Sequence, residues 1–304
     1  MKNITIKKND ANQRLDKFIR KALPRLSLPS IYKHIRNKRI KVNNKKAEID
    51  YRVLIDDVVN IYLNDELLGS GNEKNDFLLA KNDLKVVYED NNIIIVNKPS
   101  GIVVQDDNTK NPDTLCNRLL LYLYKRGEWS NENETTFVPS FIHRLDRNTQ
   151  GLIIGAKNIE SSRILSEKIK NKEIDKYYLC HVYGILDPKN GVLHDYLTKK
   201  SSENMVVISK KPISFSSKEI ITEYKTISIE NNISLLEIHL ITGKTHQIRA
   251  HLNFIGHPLI GEKKYSSVDE RNKKFQDLIS YKLIFNLKKH NGILEYLSKK
   301  TIKI

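Results

Sequence analysis

From residue 84 onward the apolar residues fall in short runs, and most of these runs follow one another across a turn instead of a helix. Leu84–Glu89 and Ile93–Asn97 are predicted strands around an Asp-Asn-Asn turn, and Gly151–Ala156 is a third, followed by a predicted helix over Ile159–Ile169. Lys176–Tyr183, Ile220–Ile229, Ile233–Thr242 and Tyr281–Leu287 are further predicted strands. Thr245–Ile255 is a predicted helix, because Ile248, Leu252 and Ile255 recur at i, i+4 and i+7. A doubly wound parallel sheet needs a helix after nearly every strand. This order points instead to an α+β domain with a mixed, mainly antiparallel sheet.

The segment before residue 65 has a different pattern. Arg14–Leu23 places Leu15, Phe18, Ile19 and Ala22 at helical spacing ahead of Pro24, and a second helix is expected over Pro29–Asn37. Ile40 and Val42 alternate with charge, Asn43–Asn44 suits a tight turn, and Val58–Leu63 suits a strand. Two basic helices followed by strand, turn and strand resemble the S4 RNA-binding module. Residues 64–83 are polar, contain Gly69-Ser70-Gly71 and lack periodicity. The expected organisation is therefore an S4-like domain over 1–64, a linker over 65–83 and a larger domain over 84–304.

Charge narrows the partner. The chain of 304 residues carries a formal net charge of +16, and residues 1–64 alone hold 16 Lys and Arg against 6 Asp and Glu. A Lys- and Asn-rich composition raises the total but does not explain that skew, and a polyanion does. No apolar run approaches the ~20 residues of a membrane span, and the amino terminus has no apolar signal region. Cys116 and Cys180 form no CxxC pair and are expected as small core residues. A cytoplasmic protein is the expectation.

Three segments stand out chemically. The first, 93–104, is an apolar strand running into Lys98-Pro99-Ser100-Gly101. In the second, His143-Arg144-Leu145-Asp146-Arg147, a carboxylate sits between two cations, which favour its charged form, just ahead of an apolar strand. The third, 241–261, contains Gly243-Lys244-Thr245. It is not a Walker loop, because Ile238 stands where that pattern needs glycine. His246, His251 and His257 lack HExxH spacing and an acidic companion, so no metal site is expected.

Taken in this order, HRLD-x-x-T-x-G, the upstream KPSG turn and the downstream TGKTHQIR-x-HL-x-x-x-GHPL-x-G resemble the RluA family of pseudouridine synthases. With the S4-like segment ahead, the resemblance is to the ribosomal large-subunit branch of that family, the RluC type. It covers most of residues 10–63 and 84–265. It implies that Asp146 is the essential aspartate, that Arg249 pairs with it, and that Tyr178 is the aromatic that stacks on the target base. Adjacent Tyr177 is expected on the opposite face of the same strand. Arg144 matches the arginine that fills the gap left by a flipped-out nucleotide. Lys98, Lys33, Arg36, Lys38, Arg39 and Lys41 are expected on the RNA.

The implied reaction is isomerisation of uridine in large-subunit ribosomal RNA, by a monomer. It breaks a C–N glycosidic bond and joins C5 to the ribose C1′, with no net oxidation or hydrolysis, so no cofactor is expected. One departure stands out: Gln150 occupies the position where the family usually has serine. It is expected to rotate outward. Leu197–Ser217 carries no usable pattern and is treated as a candidate hairpin touching RNA. The main rival is a non-catalytic RNA-binding assembly factor that kept the fold. A second rival is a hydrolase built on His143 and Asp146, which would need an oxyanion site or paired carboxylates that the sequence does not offer.

Overall fold

The computed structural model describes residues 1–64, 67, 75–106, 111–131, 134–200, 205–266 and 273–304. At the amino-terminal end, strand β1 (Lys2–Thr5) precedes helices α1 (Leu15–Ala22) and α2 (Leu28–Arg36), then β2 (Ile40–Val42) and β3 (Val58–Ile61). Leu15, Phe18 and Ile19 are buried while Lys17, Arg20 and Lys21 face out, as an amphipathic helix requires. The hydroxyl of Ser27 caps α2, accepting from the amide of Ser30 at 3.4 Å. The three strands form an antiparallel sheet in the order β1-β3-β2. Asn43 and Asn44 both take left-handed φ (50° and 61°), where the expected turn lies. This segment has its own core, including Ile6, Phe18, Ile31, Ile40 and Val59.

The rest of the chain builds one 11-stranded sheet. Its elements are β4 (Val86–Glu89), β5 (Ile93–Lys98), α3 (Leu115–Lys125), β6 (Ser140–Phe141), β7 (Gln150–Ala156), α4 (Ile159–Lys170), β8 (Ile174–Tyr183), β9 (Asn190–Lys200), β10 (Met205–Ser209), β11 (Lys218–Glu230), β12 (Ile233–Leu240), α5 (Gln247–Phe254), β13 (Leu278–Phe285) and β14 (Thr301–Lys303). The order is β10-β9-β11-β12-β8-β13-β7-β5-β4, with β6 on β7 and β14 on β13. Every pairing among the described strands is antiparallel except β13 with β7. The sheet is therefore mixed and mainly antiparallel.

Burial explains the apolar runs. Ile94, Val96 and Ile153 pack on one face with α3 and α5, whereas Ile93, Ile95, Leu152 and Ile154 pack on the other with Leu165 of α4. Strands covered on both faces have no polar side to show, so their sequences lose alternation. At the one parallel pairing, Gly151 lies opposite Ser280 with φ +117°, and a Cβ there would sit 2.2 Å from the Ser280 carbonyl oxygen. The second glycine-dependent contact is Gly261, where a Cβ would meet the Phe275 carbonyl at 2.3 Å.

Of the expected linker (65–83), residues 65, 66 and 68–74 lie outside the described residues, and 75–83 pack onto the larger domain. A short 3₁₀ helix, Asp76–Leu79, buries Phe77 edge-on against Tyr124 and Trp129, each at 5.4 Å. The smaller domain is also held directly to the larger one. Asp10, fully buried, accepts from the amide and the hydroxyl of Thr136 (3.0 and 2.6 Å), and Gln13 donates to the same hydroxyl at 2.8 Å. Among the described residues, no helix is long and apolar enough to cross a membrane.

Candidate active site

The turn entering β7, the first half of β8 and the start of α5 converge beside the parallel strand pairing, around a cavity of about 830 Å³. Asp146, Tyr178, Arg249, Arg144, Lys176 and His246 all line it. The backbone of the turn is set by Thr149, whose amide donates to the Asp146 carbonyl at 3.1 Å and whose hydroxyl accepts from Gln276 at 3.2 Å. Arg144 is exposed at the rim. Gln150 also points outward, so the departure from the family's serine adds no bulk to the cavity.

Arg249 donates from Nη1 to Asp146 Oδ2 at 3.0 Å. Its other edge is engaged more deeply: Nε and Nη2 donate to the two oxygens of Glu262 at 2.7 and 2.8 Å, with the Glu262 side chain fully buried. Planar bidentate pairing of this kind fixes a guanidinium in orientation as well as position. Glu262 also accepts from the amide of Lys264 at 2.8 Å. Burial alone would make Arg249 easier to deprotonate, but the two carboxylates outweigh it and raise its pKa, so the cation is permanent. Burial lifts the glutamic acid's intrinsic pKa, yet its bonds from Arg249 reverse the balance and keep it ionised.

Helix α5 is buried on nearly all sides, which places Arg249 inside the protein. Its start is tied down by Gln247. Its amide oxygen accepts from Thr242 (3.0 Å) and the Lys244 amide (3.1 Å), and its NH₂ donates to Ile221 O (3.1 Å) and Thr222 (3.0 Å). One turn later His251, fully buried, bridges Asp195 on β9 (2.9 Å) and Thr222 on β11 (3.0 Å). These bonds account for the Thr-Gly-Lys-Thr-His-Gln-Ile-Arg-x-His spacing in physical terms.

Tyr178 is 5% exposed and faces the cavity, whereas Tyr177 stacks on His239 on the other face, 4.5 Å between centroids and 10° between planes. Burial, reinforced by the nearby Asp146 charge, pushes the Tyr178 phenol well above its usual pKa, so it stays neutral. His143 is likewise neutral: burial first, then Lys176, pull its pKa down to about 3, and its Nε2 accepts from the Ile154 amide at 3.2 Å. That employment leaves it turned toward the strand and away from any hydrolytic role with Asp146.

Lys98 is the assignment the structure overturns. It is fully buried, and its ammonium donates to three backbone carbonyls, of Pro99 (2.9 Å), Ile102 (2.8 Å) and Arg147 (2.8 Å). An ammonium whose three hydrogens are spent inside the protein cannot meet a phosphate. It ties the KPSG turn to the turn that carries Asp146. Burial, only partly offset by Asp146, lowers its pKa to about 8. The remaining expected cations are at the surface: Lys33, Arg36, Lys38 and Arg39 are exposed, and half-buried Lys41 lies 5.3 Å from the ring of Tyr62.

The sequence reasoning missed Glu262, Tyr265 and Lys176, and weighed His246 only as a metal ligand. His246 adopts a left-handed φ of 55° at the cap of α5. Its Nδ1 meets the Tyr265 hydroxyl at 2.7 Å, and its Nε2 lies 3.8 Å from Asp146. Burial lowers its pKa against the pull of Asp146, with Arg249 acting in the same direction as burial. Among the described residues, no cluster of His, Cys, Asp or Glu has the arrangement of a metal site.

The RNA pseudouridylate synthase family model matches residues 92–254, more than half of the chain and the stretch that carries Asp146, Tyr178 and Arg249. The chain belongs to this family. The S4 domain model matches residues 13–59 of the same synthase. The synthase is 34% identical over 288 residues to an uncharacterized RNA pseudouridine synthase of Mycoplasma genitalium, covering 92% of this chain and 88% of the relative. It is also 34% identical over 264 residues to ribosomal large subunit pseudouridine synthase C of Rickettsia bellii, covering 84% and 83%. The solved structure of human RNA pseudouridylate synthase domain containing 1 shares the fold, with a TM-score of 0.55 at 20% identity, covering 73% of this chain and 90% of that one. The enzyme is thus an isomerase of the RluA type, a pseudouridine synthase preceded by an S4 domain.

Proposed function

We propose that this synthase converts specific uridines of large-subunit ribosomal RNA to pseudouridine, acting as a cytoplasmic monomer with Asp146 as the catalytic carboxylate. One observation carries the reading: Asp146 faces a cavity while held at 3.0 Å by an arginine that a fully buried glutamate locks in place. The isomerisation needs a group that forms and releases a bond, or takes and returns a proton, at the nucleoside. An oriented carboxylate does either. Nothing enters or leaves the overall balance: the N1–C1′ bond breaks, C5–C1′ forms, and the C5 proton moves to N1.

The uridine must leave its stack to reach Asp146, at a cost of a few kcal/mol. Tyr178 offers the flipped base a flat, neutral surface, and Arg144 at the rim takes the vacated place. The cations around α2 anchor the RNA backbone. The large-subunit target is supported by the name of the Rickettsia relative.

The test is carbodiimide-based mapping of unmodified large-subunit rRNA after incubation with the protein, beside Asp146→Asn. New stops with the native protein and none with the variant are expected. Tight binding without any stop, on free rRNA or subunit precursors, would transfer the protein to the non-catalytic reading.

A further inference from the structure

The loop between β10 and β11 presents an aromatic ring for which the fold has no use. Phe215 is fully exposed, and Ile213, two residues before it, is 60% exposed. Burying such a ring would stabilise the fold, and here that is forgone. The loop is nevertheless well built. The Ser217 hydroxyl accepts from the amides of Ile213 (3.1 Å) and Ser214 (3.0 Å) and meets the Thr198 hydroxyl of β9 at 2.8 Å. The Ser217 amide donates to Ser214 O at 3.1 Å, and that of Ser216 to Ser214 Oγ at 3.2 Å. A serine-rich turn this densely bonded holds Phe215 at its crest.

Its position matters. Lys199, next to Thr198 on β9, lines the active-site cavity. The amide of Val206 on β10 donates at 3.2 Å to the Tyr265 hydroxyl, the group that also meets His246. The loop is therefore joined to the rim of the site through two strands. Its surroundings are cationic: Lys199, Lys211 and Lys218 are exposed, as is Lys210, which pairs with buried Asp195 at 2.9 Å. Protein–protein interface cores are depleted in lysine. A flat apolar ring set among lysines matches instead a nucleobase with its flanking phosphates.

We propose that Phe215 is a stacking wedge for an unpaired nucleobase of the RNA, beside the uridine that enters the cavity. This rests on the functional reading above. Extracting a uridine leaves its neighbours without a stacking partner, and Phe215 supplies one. The contact is tolerant of base identity, because every base has a π-face, so it selects for unpaired structure near the target more than for sequence.

The test uses the full-length protein with an rRNA stem-loop transcript holding loop uridines, and a fully paired duplex as control. Phe215 touches nothing in the core, so Phe215→Ala retains the fold. It is expected to weaken stem-loop binding about tenfold and to leave duplex binding unchanged. Phe215→Trp is expected to restore affinity and to show indole quenching by the stem-loop, since the native Trp129 is buried. Stem-loop affinity for Phe215→Ala within twofold of native, without quenching of Phe215→Trp, would overturn the proposal. So would a native dimer that dissociates in Phe215→Ala, because the ring would then belong to a second copy. Pseudouridine formation by the native protein is scored in the same samples: its absence counts against the functional reading and leaves the binding comparison interpretable alone.

Discussion

Glu262→Gln tests whether the active-site arginine is held by charge or merely by shape. The substitution keeps the side chain's size and one accepting oxygen. It removes the anion that takes both Nε and Nη2 of Arg249, and it turns an NH₂ donor toward either that guanidinium or the Lys264 amide. The Glu262 side chain is fully buried, so water does not compensate. Breaking one partner out of a buried pair costs about 3–5 kcal/mol, mostly as the penalty of the stranded charge. Asp146 still faces Arg249, which places the expectation near the lower value. At about 2–4 °C per kcal/mol for a domain of this size, the larger domain should melt roughly 6–12 °C lower. The double variant Glu262→Gln/Arg249→Met no longer contains the stranded cation, so it should be less destabilised than the sum of the two single variants by at least about 1 kcal/mol. Thermal unfolding followed by circular dichroism at fixed salt reads all four proteins. A Glu262→Gln protein melting within 2 °C of native, or a strictly additive double variant, would refute the argument that charge locks Arg249.

Arg249→Met alone should abolish pseudouridine formation while RNA affinity stays within about twofold, since the residue faces Asp146 and not the rim; full activity would remove it from the site. Replacing Lys33, Arg36, Lys38, Arg39 and Lys41 together by alanine should weaken rRNA binding and flatten its salt dependence. The slope should fall by about 0.7–0.9 log units per log unit of salt for each phosphate the protein no longer neutralises. An unchanged slope would take the S4 domain off the RNA. His143 titrates near pH 3 in the folded protein and near its ordinary 6.5 when unfolded. Between those values the unfolded chain binds the extra proton, so stability rises with pH across that window and falls on acidification. His143→Gln should make stability less steep from pH 6.5 downward; a denaturation profile identical to native would show that His143 is not held neutral in the folded protein.

What could be read in advance divides along a physical line. Strands β5 and β7 were legible because burial on both faces leaves unbroken apolar runs, and α5 because Ile248 and Leu252 share a face. Helix α3 went unseen: Leu119, Leu121 and Leu123 are buried, but the residues between them are apolar too, half-buried at Leu120 and Tyr122 and packed edge-on against Phe77 at Tyr124, so the stretch shows no period. Strand β1 is four residues long and exists because β3 offers it a partner more than fifty residues later. Within the site, Asp146, Tyr178 and Arg249 were legible through the family resemblance that their short motifs carry, and the structure brings all three to one cavity. Glu262 was not, because an acidic residue in a lysine-rich loop reads as a solvated charge until Arg249 is brought to it from α5. Lys98 failed for the same reason in reverse. A lysine in a turn usually faces water, and only the convergence of carbonyls from Pro99, Ile102 and Arg147 makes it an internal strut. Gly151 shows the same dependence on distance, since the atom that forbids a side chain there belongs to Ser280. Groups that touch substrate are constrained by the chemistry they perform, which a short motif can display. Groups that hold them are constrained by partners elsewhere in the chain, so a supporting residue becomes recognisable only when the fold has placed its partner beside it.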